Sequence, residues 1–175
     1  MAPAGWVNLE GHMSIQYNAD EVLSIAEQVE RNGDRFYRLA AEKQSDRDAA
    51  ATFLRLAEME QGHLKVFSGM RAALSDEERR PVTFDPYDES SLYLRATADR
   101  TIFDVTADPA KKLTGKETMK QVLAIGIAAE KDSIVFYAGM KDMVPARLGR
   151  DRIEAIIREE LSHFVTLSEL MAEAK

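Results

Sequence analysis

One pattern of four residues occurs twice in this chain, and every member of the first copy recurs 100 positions later. The two copies are Glu30, Tyr37, Glu60 and His63, and Glu130, Tyr137, Glu160 and His163. Apolar residues around each copy recur at the same offset: Phe53, Leu56, Ala57, Leu64, Phe67 and Met70 correspond to Ile153, Ile156, Ile157, Phe164, Leu167 and Leu170. This self-similarity indicates an internal duplication of a two-helix unit.

Each copy places a carboxylate and an imidazole on the same side of a helix, because residues three apart lie on one helical face. Glu60 and His63 form one such pair, and Glu160 and His163 form the other. Both pairs lie within apolar stripes, so we expect them to point into the core. Burying a carboxylate costs several kcal/mol unless the charge is compensated. Neither stripe contains Lys or Arg, so the sequence predicts bound cations, and four carboxylates balance two divalent ions.

Capping signals divide the first half of the chain into two helices. A capping box at Asn18 predicts a first helix to about residue 42, and Ser45 predicts the start of a second helix that ends near residue 74. The turn near 44–46 then lies about 15 residues from both Glu30 and Glu60. The two carboxylates are therefore expected at the same level of an antiparallel pair.

The second half predicts the same arrangement after a long connection. A capping box at Thr114 predicts a third helix to about residue 142, and a fourth helix is expected from about Arg150 to the end. The short turn between them leaves Glu130 and Glu160 level. Residues 76–113 contain three of the five prolines and are too long for a hairpin, so helices two and three should run in the same direction. The predicted fold class is an all-α four-helix bundle with a long crossover.

Composition narrows the function classes. A net charge of −7 and a pI near 5.1 argue against binding to nucleic acid or to an anionic membrane surface. There is no Cys, which excludes disulfides and thiolate metal ligands. No stretch has the apolar length of a membrane span. We predict a cytoplasmic protein in which residues 1–17 form an arm and residues 18–175 form one bundle.

The duplicated pattern resembles the ferritin-like superfamily, and most closely the rubrerythrin-like di-iron proteins, over about 20–74 and 115–174. The resemblance implies a ferritin-like four-helix bundle with a non-haem di-iron centre. The implied ligands are bridging Glu60 and Glu160, terminal Glu30 and Glu130, and the imidazoles of His63 and His163. Two iron ions are the expected cofactor, with manganese or a mixed metal pair left open.

Rubrerythrins couple such a centre to the reduction of hydrogen peroxide with electrons from a rubredoxin-type centre. This chain has no Cys, so the resemblance implies an external electron donor protein. Rubrerythrins also carry an extra carboxylate one turn from the ligand of the third helix. Here Ile127 and Ser133 flank Glu130, and Glu27 lies one turn from Glu30 instead.

Three functions remain open on the sequence. The first is an oxidoreductase that reacts with peroxide or dioxygen. The second is a ferritin-like iron-binding or iron-storage protein with ferroxidase chemistry, and the third is a metal-free structural bundle that keeps an ancestral site. A homodimer is expected by analogy, and this would weigh against a storage shell.

Several residues beside the implied ligands carry separate expectations. Tyr37 and Tyr137 are candidate catalytic residues, because each phenol could donate to a ligand carboxylate or close the chamber, although both could equally be core aromatics. Gly33 lies in the inner stripe at a cost of about 1 kcal/mol relative to Ala, which suggests a packing or metal-access reason. Glu27 is expected at the surface, and Glu159 is expected to be solvated.

Overall fold

The computed structural model describes residues 16–81, 89, 92–94, 96, 113–114 and 116–174. Within them lie four long helices: α1 (Ala19–Lys43), α2 (Arg47–Ala72), α3 (Met119–Met143) and α4 (Arg150–Glu173). A 3-10 turn, Ala146–Leu148, separates α3 from α4. The predicted all-α bundle is confirmed. The predicted arm and much of the predicted crossover lie outside the described residues.

The helices begin at capping residues, two of which differ from the prediction. Asn18 starts α1 with the expected capping box. Asp46, not Ser45, caps α2, since its carboxylate accepts from two backbone N–H groups and its charge suits a helix N-terminus. Thr118, not Thr114, caps α3, because Thr118 and Gln121 form a second capping box after the one predicted at Thr114. Thr114 instead donates to Glu117 in the preceding turn.

Contacts between helix ends fix the direction of each helix. Arg71, near the end of α2, pairs with Asp20, near the start of α1, at 2.9 and 3.0 Å. At the opposite end, Lys43 Nζ donates to the Leu113 carbonyl at 2.8 Å, just before α3. The connection between α2 and α3 therefore begins at one end of the bundle and ends at the other. Both helices start at the end that holds the α1–α2 turn, so they run in the same direction as predicted.

Hydrophobic side chains from all four helices form one core. The packing of this core is similar in the two repeats. Phe36 lies edge-on to Tyr37, and Phe136 lies edge-on to Tyr137, with ring centroids 5.2 Å apart in each pair. Gly149 ends the turn before α4 at φ 92°, where a Cβ atom would lie 2.7 Å from that of Ala19. Only glycine satisfies both the left-handed backbone and the close approach. Among the described helices, none combines the length and apolar content required to cross a bilayer.

Candidate metal centre

One glutamate projects into the core from near the middle of each helix. Glu30 lies on α1, Glu60 on α2, Glu130 on α3 and Glu160 on α4. The carboxyl groups of Glu30 and Glu60 hydrogen-bond to each other, as do those of Glu130 and Glu160. Each pair is therefore level within its own helical hairpin. This confirms the positions expected from the turn lengths.

All four glutamates are buried, with 1–4% of each residue exposed. Among the described residues, no Lys or Arg forms an ion pair with any of them. The basic groups near them are imidazoles: His163 Nδ1 lies 3.4 Å from Glu130 Oε1, 3.7 Å from Glu160 Oε2 and 3.8 Å from Glu60 Oε2. Four buried carboxyl groups thus share a site that no lysine or arginine in the described part of the chain neutralises.

Burial raises the pKa of each carboxyl group, and repulsion from a neighbouring glutamate adds to the shift at Glu30, Glu130 and Glu160. Loss of hydration is the largest cause at all four residues. Next comes the neighbouring charge of Glu60 for Glu30 and Glu130, and of Glu130 for Glu160. The pKa of Glu130 rises to about 8. Without a cation, the cluster therefore retains protons at neutral pH.

The two imidazoles contact each other at the side of this cluster. His163 Nε2 contacts His63 Nδ1, and the ring centroids are 3.7 Å apart. Burial, followed by the charge of His163, lowers the pKa of His63 to about 4. His63 is therefore neutral at physiological pH and keeps a lone pair for a cation.

The donor atoms form two groups, each with atoms within 4.8 Å of one another. The first group comprises Glu30, Glu60, His63 and His163, and the second comprises Glu130, Glu160 and His163. All six predicted ligands are thus brought together, and each group is centred on one hairpin. His163 belongs to both groups.

Tyr37 and Tyr137, the predicted catalytic residues, are fully buried near the cluster. Among the described residues, neither phenolic hydroxyl has a hydrogen-bond partner. Burial is the largest cause that raises the pKa of each phenol, and the charges of the glutamates add to it. Both phenols therefore keep their proton and can donate it to an acceptor in the centre.

Two glycines make room for these groups. A Cβ atom at Gly33 would lie 3.0 Å from Cδ and 3.1 Å from Oε1 of Glu60. A Cβ atom at Gly126 would overlap the hydroxyl of Tyr37 and approach Leu167 Cδ1 to 3.3 Å. The packing reason predicted for Gly33 is confirmed. The role of Gly126 was not predicted, although its place in the inner stripe of α3 is a usable signal.

Glu27 does not lie at the surface as expected. It is 8% exposed, and its carboxylate pairs with Arg31 at 3.2 Å and with Arg71 at 3.3 Å. Arg71 lies near the end of α2, so the sequence pattern of α1 alone could not reveal this ion pair. Glu27 is absent from both donor groups of the described residues and belongs to the contacts that join α1 to α2.

The donor set fits divalent metal ions. Glu30 Oε2, Glu160 Oε1 and His163 Nδ1 are buried and have no hydrogen-bond partner among the described residues. Buried polar atoms are normally satisfied, so these atoms call for a further partner. Carboxylate oxygen and imidazole nitrogen suit divalent iron and manganese. The cluster therefore supports a di-metal site.

Comparisons with known proteins agree with this geometry. Residues 8–79, which include the first copy of the pattern, match the rubrerythrin family model. The chain is also similar to a crystal structure from Thermotoga maritima, described as a ferritin-like diiron-carboxylate protein. The two are 27% identical, the match covers 90% of this chain and 97% of the other, and the TM-score is 0.61. No protein of curated function gives a significant match.

Proposed function

We propose that this rubrerythrin-like member of the ferritin-like superfamily is a non-haem di-iron oxidoreductase that reacts with peroxide or dioxygen. One observation carries the proposal: four buried carboxyl groups and two imidazoles converge without a Lys or Arg partner among the described residues. Two divalent ions would balance the four carboxylates. Their removal would leave the repulsion between neighbouring glutamates that helps to raise the pKa of Glu30, Glu130 and Glu160.

The proposed ligands are the six residues of the two donor groups. Glu30, Glu60 and His63 would offer donors on one side of the centre, Glu130 and Glu160 would offer them on the other, and His163 lies within reach of both groups. The bridging role implied for Glu60 and Glu160 stays part of the proposal. Bound iron would supply reducing equivalents and Lewis acidity. The surrounding apolar core excludes water and strengthens the electrostatic interactions within the site.

The chain's own residues also control protons at this centre. The proton shared by Glu30 and Glu60, and the one shared by Glu130 and Glu160, would leave when the carboxylates bind metal. The phenols of Tyr37 and Tyr137 have no competing partner among the described residues and would donate to ligand carboxylates. Each Tyr would then orient a ligand, which is how residues around metal centres commonly act.

The reductant is proposed to be an external electron donor protein, and the assembly a homodimer in the cytoplasm. A second candidate is iron binding or storage with ferroxidase chemistry. It is favoured by Ile127 and Ser133, which stand where the resemblance implies an extra carboxylate. Iron remains the proposed metal, and manganese would be accepted by the same donor set.

Rapid mixing of the ferrous protein with oxidant tests the proposal. We expect absorbance from the oxidised centre to form faster with hydrogen peroxide or dioxygen than in ferrous solution without protein. A rate equal to that of free ferrous iron would refute an oxidoreductase. The mass in solution separates the two candidates, since a dimer agrees with the enzyme and a large shell agrees with storage.

A further inference from the structure

The two imidazoles of the candidate centre differ in their access to solvent. The His163 side chain is 2% exposed, whereas that of His63 is 15% exposed. Each of the four clustered glutamates has 4% or less of its surface exposed. Of the six proposed ligands, His63 is therefore the most exposed to solvent.

A carboxylate outside the cluster lies beside this imidazole. Glu159 Oε2 is 3.8 Å from His63 Nε2, and the Glu159 side chain is 40% exposed. Within the described residues, Glu159 forms no ion pair with Lys or Arg. Its carboxylate is thus available at the surface, adjacent to the partly exposed imidazole of His63.

The donor atoms form a continuous series from this surface to the core. The series runs from Glu159 Oε2 to the His63 ring, which contacts His163. His163 Nδ1 then lies 3.4 Å from Glu130 Oε1. The duplicated position of Glu159 is Met59, so the first repeat has no equivalent carboxylate. In the part of the chain that the structure describes, the duplicated position therefore supplies no second series.

We propose that Glu159 and His63 form the uptake route for divalent metal ions, with Glu159 as the surface group that first captures the ion. This inference rests on the proposed function, in that the buried cluster must hold metal. One carboxylate and one imidazole bind a divalent ion weakly, whereas the buried groups offer more donors. The ion would therefore pass inward, and Glu159 would set the rate of loading without being part of the final site.

The test measures how fast the metal-free protein binds Co²⁺, followed by its visible absorbance after rapid mixing. Glu159→Gln should lower the loading rate about tenfold, because a local negative charge concentrates cations at a binding site. The final number of bound ions should equal that of the unchanged protein. Glu169→Gln is the matched control, since it removes the same charge from an exposed position of the same helix.

The outcomes distinguish a local uptake route from a general effect of net charge. A slower rate in Glu159→Gln alone, with full stoichiometry, supports the route. Equal rates in both variants, or an equal decrease in both, would overturn it, because the position of the carboxylate would then have no effect. A lower final stoichiometry in Glu159→Gln would also overturn it, since Glu159 would be a resident ligand. If the unchanged protein binds no Co²⁺, the proposed function itself fails.

Discussion

Replacing Gly33 with Ala would place a methyl group against a proposed ligand. Its Cβ atom would lie 3.0 Å from Cδ and 3.2 Å from Cγ of Glu60. Carbon atoms pack at about 3.5–4.0 Å, so the carboxylate must shift by roughly 0.5 Å or more. Metal–ligand distances tolerate only about 0.2 Å. We expect the dissociation constant for the metal to rise roughly 10- to 100-fold, as happens when groups that orient ligands are removed.

The stability of the metal-free protein provides a second measurement. Alanine in a helix interior is more stable than glycine by about 0.5–1 kcal/mol. Gly62→Ala on α2 is the matched control, because its position is exposed and no atom lies within 4 Å of its Cβ. We expect urea unfolding to show this gain for Gly62→Ala. Gly33→Ala should lose the gain, since overpacking costs about 1–3 kcal/mol.

Two results together would contradict this prediction: Gly33→Ala matches Gly62→Ala in stability, and it binds Co²⁺ with an unchanged dissociation constant in a competition titration. The Glu60 side chain would then move away from the added methyl group without loss of stability or metal affinity. Ser133 occupies the duplicated position and is buried, so the second repeat tolerates a side chain there. Gly33→Ser would show whether the first repeat tolerates one as well.

The same contacts support three further predictions. Glu60→Ala should reduce the number of metal ions measured by elemental analysis, whereas Glu58→Ala, an exposed acid on the same helix, should leave it unchanged. Gly126→Ala should destabilise the protein by about 1–3 kcal/mol, and Tyr37→Phe should recover part of the loss in urea unfolding, because it removes the overlapping hydroxyl. Metal binding at pH 7 should release protons, measured by calorimetry in buffers of different ionisation enthalpy, and the release should fall above pH ~9 because the pKa of Glu130 is about 8.

The same pKa shifts determine how the stability of the metal-free protein depends on pH. The folded carboxyl groups hold protons that the unfolded chain has released, so their contribution is full below pH 4.5 and is lost as the pH rises through the raised pKa of each group, which is about 8 for Glu130. His63 acts in the opposite direction, since its contribution is full above pH 6.5 and is lost as the pH falls towards 4. The contributions of four carboxyl groups outweigh that of one imidazole, so the free energy of unfolding should fall as the pH rises from about 5 to about 8.

The sequence predicted the fold and the gathering of the six donor residues because both follow from local periodicity. Equal distances from each turn placed Glu30 level with Glu60, and Glu130 level with Glu160. The apolar stripes predicted which faces are buried. These features depend on helix geometry alone, and helix geometry is the same in both repeats.

Contacts between distant parts of the chain were not predictable in this way. Glu27 was expected at the surface, yet it is buried, and Arg71 reaches it from the end of α2. Glu159 was expected to be solvated, and its proximity to His63 depends on how α2 and α4 pack. Side chains of this kind are placed by tertiary packing, which a periodic pattern does not contain.

The repeat explains why the ligands can be predicted and why their surroundings cannot. Duplication gives both hairpins the same Glu, Tyr and His residues, so it predicts a symmetric centre. The observed centre differs where the repeats diverge: Gly33 corresponds to Ser133, and Met59 corresponds to Glu159. A symmetric ligand set would offer no preferred side for a metal or an oxidant to approach. The two sides of this centre differ at the divergent positions, because a missing Cβ at Gly33 leaves space in one repeat and an added carboxylate at Glu159 lies beside the partly exposed imidazole of His63.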